Sequence, residues 1–306
     1  MNPEENRAHY VPQISSWQGF LNAASDFPEL VKSRLTMLVV ITTAAGYAIA
    51  WGPDASFLKL LHVLLGTSGV AAGAAVLNEL LEIKADAKMN RTKDRPLPAG
   101  RINPQDALLL GGILSGLGVA YLVMTVNYLS GALALITLFI YLFIYTPMKR
   151  MSSWNTVVGA IPGALPPMIG WAAATNELTL EAWLFFGLQF CWQMPHFLAI
   201  AWLYRQDYQD GGFRMITDHD PKGKKTSLYS LIHTALLLPL TLITFLYCDS
   251  SWIFLIGAGA CALVYLKPAI KFYQSPDNTT AKPFFLMSLL YLPGLYLAAI
   301  LDRIIL

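Results

Sequence analysis

The chain has 306 residues, of which 55% are hydrophobic and only 13% charged, with a formal net charge of +2 and a mean hydropathy of +0.49. Soluble domains carry about a quarter charged residues, so a soluble enzyme is excluded, and no nucleic-acid partner is expected. Several stretches of about 18 or more residues almost free of charge are long enough to cross a hydrocarbon core.

The predicted fold is all-α: a polytopic membrane protein of about nine transmembrane helices. A cytoplasmic tail, 1–34, precedes a single membrane domain, 35–306. Spans are expected at 35–52, 57–80, 105–125, 128–147, 155–174, 181–203, 227–247, 252–267 and 284–304. Basic residues then sort to one side. They lie in the tail (Arg7, Lys32, Arg34) and in the loops after spans two, four, six and eight, so that 19 of the 21 Lys and Arg share one membrane face. The positive-inside rule puts the N-terminus in the cytoplasm and, after nine spans, the C-terminus outside. The tail carries Glu4, Glu5 and Asp26 and lacks both a signal-peptide and a transit-peptide pattern, which makes a bacterial inner membrane the expected location. Cys191, Cys248 and Cys261 fall in spans at no ligand spacing and read as small apolar fillers.

Charge concentrates after span two, in "NELLEIKADAKMNRTKDRPLPAGR", residues 78–101. Asn78, Glu82 and Asp86 stand four residues apart, so each advances about 40° and the three make one stripe of oxygen ligands at the helix exit. Such a stripe suits a hard cation such as Mg²⁺ completed by phosphate oxygens. Arg91, Lys93 and Arg95 follow and can take the charge a metal leaves on a diphosphate. The plainer alternative is a solvated helix end with positive flanks. Pro96, Pro98 and Gly100 break the chain, and Asn103, Pro104 and Asp106 read as the cap and first turn of span three.

After span four, Lys149 and Arg150 sit where they could meet a diphosphate, with Pro147 expected to end the helix before them. Gly159, Pro162, Gly163, Pro166 and Pro167 allow close approach and a broken span five. After span six, "WQMPHFLAIAWLYRQDYQDGGFRM" joins an intramembrane histidine to a charged exit. On a continuous helix His196 and Asp207 lie about 20° apart in phase. An ionisable residue inside the membrane is a functional candidate, against the alternative of a histidine bonded to a backbone carbonyl or to Trp192. His62 and His233 are expected to have no polar surroundings and no role.

From about Lys32 to Asp302 the chain resembles the haem O synthase (protohaem IX farnesyltransferase) family of UbiA-type intramembrane prenyltransferases. The resemblance rests on "KSRLT", "NELLEIKADAKMNRTKDRPLPAGRI", "YTPMKR", "NTVVGAIPGALPPMIGWAA", "WQMPHFLAIAWLYRQDYQDGGFRM" and "SLLYLPGLYLAAILD". It implies a bundle around a lipid-open cavity, with farnesyl diphosphate and haem B as substrates and Mg²⁺ as cofactor. Haem A synthase or the terminal-oxidase assembly would be protein partners. It assigns Asn78, Glu82, Asp86 and Asp207 to the metal and to catalysis, with Lys149 and Tyr145 also catalytic. Lys32, Arg34, Arg91, Lys93, Arg95 and Arg205 would hold the diphosphate, and Trp192, His196 and Tyr208 the haem. Three positions depart from the family pattern: Glu82 replaces the usual Asp, only Asp207 matches in the second acidic site, and "KSR" replaces Lys-Pro-Arg. A quinone-type aromatic prenyltransferase shares the fold, and a transporter is the alternative of another class; transporters, however, place ionisable groups at mid-bilayer.

Overall fold

A computed structural model describes residues 25–305, which form helices and no strand. Arg7, Glu4, Glu5 and most of the expected tail lie outside the described residues. Ten helices follow a short helical turn at residues 25–30: α1 Ser33–Ile49, α2 Phe57–Asp86, α3 Pro104–Thr125, α4 Tyr128–Met148, α5 Asn155–Thr175, α6 Leu180–Leu203, α7 Arg205–Asp210, α8 Lys224–Tyr247, α9 Trp252–Gln274 and α10 Asn278–Ile305. Eight of these are long and apolar enough to span a membrane, and α1, with 17 residues, is a shorter apolar helix. The protein is therefore a multi-pass membrane protein, with side chains such as Leu117, Met124, Phe143 and Ile256 exposed on its outer faces.

Local chemistry starts the helices where polar side chains can satisfy free N–H groups. Ser56 accepts from the Lys59 amide, Asn127 from Ser130, and Asn103 from Gln105, with Pro104 and Asp106 in the first turn of α3 as expected. Several ends move. The α8 helix begins at Lys224, α9 runs through Pro268 to Gln274, and α10 begins at Asn278. The expected boundaries stopped at prolines and charges, but helices emerging into water continue past the hydrocarbon and tolerate both.

Helix α5 is the central post: 78% of its most apolar window is buried, against 28% for α3, α8 and α9. It is built of two pieces, Asn155–Ala164 and Pro166–Thr175. The missing amides of Pro166 and Pro167 account for the break. Its second piece crosses α1 with the backbones in contact. A Cβ at Gly46 would lie 2.0 Å from the Pro167 carbonyl oxygen, and one at Gly170 would lie 1.9 Å from that of Thr43. On one side α2 packs along α3 and α4; on the other, α6, α8, α9 and α10 pack together, and α10 also touches α1. The ends of α2, α4, α6 and the start of α1 thus gather at one end of the bundle.

Candidate active site

At that end lies a cavity of about 230 Å³ lined by Lys32, Asn78, Glu82, Asp86, Arg95 and Lys149 among others. The α2 helix runs unbroken to Asp86, so Asn78, Glu82 and Asp86 do share a face, and all three are buried at 1%, 4% and 1% exposure. Each faces a cation. Lys32 Nζ donates to Asn78 Oδ1 at 2.8 Å, Lys149 Nζ to both Glu82 oxygens at 2.8 and 3.0 Å, and Arg95 Nη1 to Asp86 Oδ2 at 2.8 Å. Asn78 Nδ2 donates to Thr146 Oγ1, which fixes the amide orientation. Burial, and then the positive Arg95 beside it, lower the pKa of Lys32 to about 8. Burial pulls Lys149 down too, but Tyr145, Glu82 and Tyr141 outweigh it, and its pKa is raised.

The wall opposite the stripe comes from α4. Between Ile140 and Tyr145 the helix widens into a π turn, and the Thr146 amide reaches back to the Tyr141 carbonyl. Pro147 supplies no amide, and the wider turn accommodates its ring. The helix therefore passes through Pro147 and ends at Met148, one residue beyond the expected end and just before Lys149. The π turn carries Tyr141 and Tyr145, whose rings lie 5.6 Å apart, and Lys149 Nζ sits 4.7 Å from the Tyr145 ring centre. The Tyr145 ring also packs on bare Gly159, where a Cβ would approach it to 2.5 Å. The remaining lining includes Leu35, Met89, Arg91, Asn155, Tyr208, Phe213 and Met215.

Nine of the expected site residues meet here: Lys32, Asn78, Glu82, Asp86, Arg91, Arg95, Tyr145, Lys149 and Tyr208. Six do not line the cavity. Arg34 and Lys93 are exposed, and Lys93 donates to Asn90 at 3.4 Å. Arg205 lies over the Trp202 ring and donates to the Trp202 carbonyl and to Asn278. Asp207 is half-buried next to the lining residue Tyr208, and the assumed continuous helix is broken at Tyr204, with φ −111° and ψ 25°. That break corrects the expected common face of His196 and Asp207. Trp192 and His196 turn toward α10. The Trp192 indole donates to the Ser288 carbonyl at 2.7 Å, His196 Nδ1 lies 2.7 Å from Ser288 Oγ, and the two rings stack at 5.2 Å. His62 has a polar neighbour after all, Tyr121 Oη at 2.7 Å from its Nδ1.

Two contributors escape the spacing argument. Glu79 is fully buried one residue beyond Asn78, and its Oε1 accepts from the Leu97 amide at 3.2 Å, tying the loop after α2 to the helix. Asn155 Nδ2 donates to the carbonyls of Ser152 and Arg214, both at 2.7 Å, and joins the loops after α4 and α7. Their only sequence signal was a polar residue at the edge of an apolar run, Glu79 near the end of α2 and Asn155 at the start of α5.

The donor set suits a hard divalent cation. It offers two buried carboxylates and one amide oxygen on a single face, and no group of three or more His, Cys, Asp or Glu side chains stands close enough to hold a metal ion among the described residues. A cation held by so few protein oxygens needs further ligands from a substrate, the way Mg²⁺ is usually bound with phosphates.

The arrangement defines a class: an intramembrane helical bundle with one charged end, where cations face a buried acidic stripe across a cavity. The chain belongs to the UbiA prenyltransferase family, whose profile matches residues 39–291. It is 42% identical over 92% of its length to the protoheme IX farnesyltransferase of Opitutus terrae, covering 96% of that protein. It is 41% identical to that of Solibacter usitatus, with 91% and 98% covered. The solved structure of a digeranylgeranylglyceryl phosphate synthase superposes with a TM-score of 0.79 at 18% identity, covering 94% of this chain and 100% of that one. A UbiA homologue of Archaeoglobus fulgidus bound to GPP and Mg²⁺ superposes at 0.67 and 17% identity, with 90% and 99% covered, and shares the fold.

Proposed function

We propose that the protein transfers the farnesyl group of farnesyl diphosphate to a vinyl group of haem B, with addition of water, giving haem O and diphosphate. The carrying observation is the buried stripe of Asn78, Glu82 and Asp86 facing Lys32, Arg95 and Lys149 across one cavity. The protoheme IX farnesyltransferase relatives support the choice of substrates.

Breaking the farnesyl carbon–oxygen bond separates charge, which is costly away from water. Lys32, Arg91, Arg95 and Lys149 are placed to hold the oxygens of the departing diphosphate. Fixed cations of this kind act where negative charge develops. Mg²⁺, held by Asn78, Glu82 and Asp86, with Asp207 as a further ligand, would neutralise that anion as a Lewis acid. Tyr141, Tyr145 and Tyr208 present ring faces and phenols to the reacting end, and an aromatic face stabilises an allylic cation. The vinyl π electrons form the new carbon–carbon bond, water adds to the resulting cation, and a proton leaves. Trp192 and His196 are the proposed haem contacts, and Arg34, Lys93 and Arg205 are outer cations that draw the diphosphate in. The membrane would be a bacterial plasma membrane, with the site at its cytoplasmic face.

The purified protein, given haem B, farnesyl diphosphate and Mg²⁺, should yield a product heavier than haem B by one farnesyl group and one hydroxyl group. Prenylation of 4-hydroxybenzoate with none of haem B would overturn this reading in favour of a quinone-type enzyme.

A further inference from the structure

Lys32 reaches the cavity from an unusual backbone position. It precedes α1 with φ 47° and ψ 54°, in the left-handed region that side chains other than Asn and Gly seldom occupy. Something must hold it there. On its far side, Asn78 accepts from Nζ. On its near side stands the turn at residues 25–30, whose Leu30 and the following Val31 are buried against Val76, Leu97 and Ala107.

That turn carries a second attachment. Asp26 takes the Arg101 Nε at 3.0 Å to each carboxylate oxygen, and Glu29 lies 3.4 Å from Arg101 Nη2. Arg101 also donates from Nη1 to the Asp94 carbonyl at 2.8 Å. Asp94 is the neighbour of Arg95, which lines the cavity and pairs with Asp86. One guanidinium thus bridges two segments, and each segment delivers a cation into the same cavity. None of Asp26, Glu29 or Arg101 lines that cavity.

We propose that Asp26 and Arg101 are positioning residues, a latch that ties the Lys32 segment to the loop before Arg95, so seats Lys32 over the acidic stripe and fixes how tightly the diphosphate is gripped. The proposal rests on the prenyl-transfer reading above. It predicts an effect on substrate grip greater than on turnover, because the latch touches no reacting atom.

The test uses the full-length protein in detergent with haem B, Mg²⁺ and farnesyl diphosphate. Asp26→Arg should raise KM for farnesyl diphosphate about tenfold, the scale of one charge-assisted contact, with kcat changed less. The swap Asp26→Arg with Arg101→Asp should recover most of the loss, and Glu29→Gln should leave both constants unchanged. In a Lys32→Ala background, Asp26→Arg should have a much smaller effect than in the wild type, since its target is gone. An unchanged KM in Asp26→Arg would overturn the proposal. So would a loss that the swap does not recover and that adds fully to Lys32→Ala, because the pair would then be holding the fold and not the lysine. If the wild type itself forms no farnesylated haem, the underlying reading fails; an active wild type with an indifferent latch sinks only the latch.

Discussion

Replacing Lys149 separates two roles that the geometry superimposes. Its ammonium pairs with both oxygens of Glu82, and the two side chains are only 16% and 6% exposed. Lys149→Met therefore strands a buried carboxylate, and breaking a buried pair by removing one partner costs about 3–5 kcal/mol. On the proposed reaction the same change also removes one donor to the leaving diphosphate, for which a loss of about 10²–10³ in turnover is expected. Adding Glu82→Gln takes away the stranded charge and should restore most of the lost stability. It should not restore activity. The assay pairs thermal unfolding in detergent with single-turnover formation of farnesylated haem. A double variant that regains both stability and wild-type turnover would refute the reasoning, because Lys149 would then serve Glu82 alone.

Asp86→Ala should abolish prenylation while haem B still binds, and a purified variant with undiminished turnover would remove Asp86 from the mechanism. Lys32 carries its charge only below about 8 in the free protein. Affinity for farnesyl diphosphate should therefore weaken as pH rises through that value, and Lys32→Arg should flatten this limb of the titration. Gly159→Leu should push the Tyr145 ring out of the cavity, since even a Cβ would approach it to 2.5 Å. We expect turnover to fall at least about tenfold, with a smaller effect in Gly159→Ala, measured by product mass. Chelation with EDTA should stop the reaction and added Mg²⁺ should restart it; full activity in EDTA would remove the metal from the scheme.

The helical bundle and its charged end were legible in the chain because both follow from periodicity. Apolar runs of span length can do little but cross a bilayer, and a four-residue spacing puts Asn78, Glu82 and Asp86 on one face wherever the helix goes. Features that depend on a departure from regular geometry were not legible. Lys32 reads as part of a tail, and only its left-handed backbone aims it at Asn78. The widened turn at Ile140–Tyr145 has no compositional mark beyond the proline that follows. The kink at Tyr204 redirects Asp207, and His196 finds Ser288 ninety-two positions along the chain, a contact no local pattern specifies.

The pairing of each stripe residue with its own cation has a consequence for the cycle as a whole. Glu82 and Asp86 already possess internal counter-ions in Lys149 and Arg95. On the proposed reaction, a substrate arriving with a metal would exchange partners as on an ion-exchange resin: phosphate would take the ammonium and guanidinium groups and free the carboxylates for the metal. Once the pyrophosphate had departed, the original couples would re-form, so that the vacated chamber would return to electrical balance without recruiting ions from the bulk.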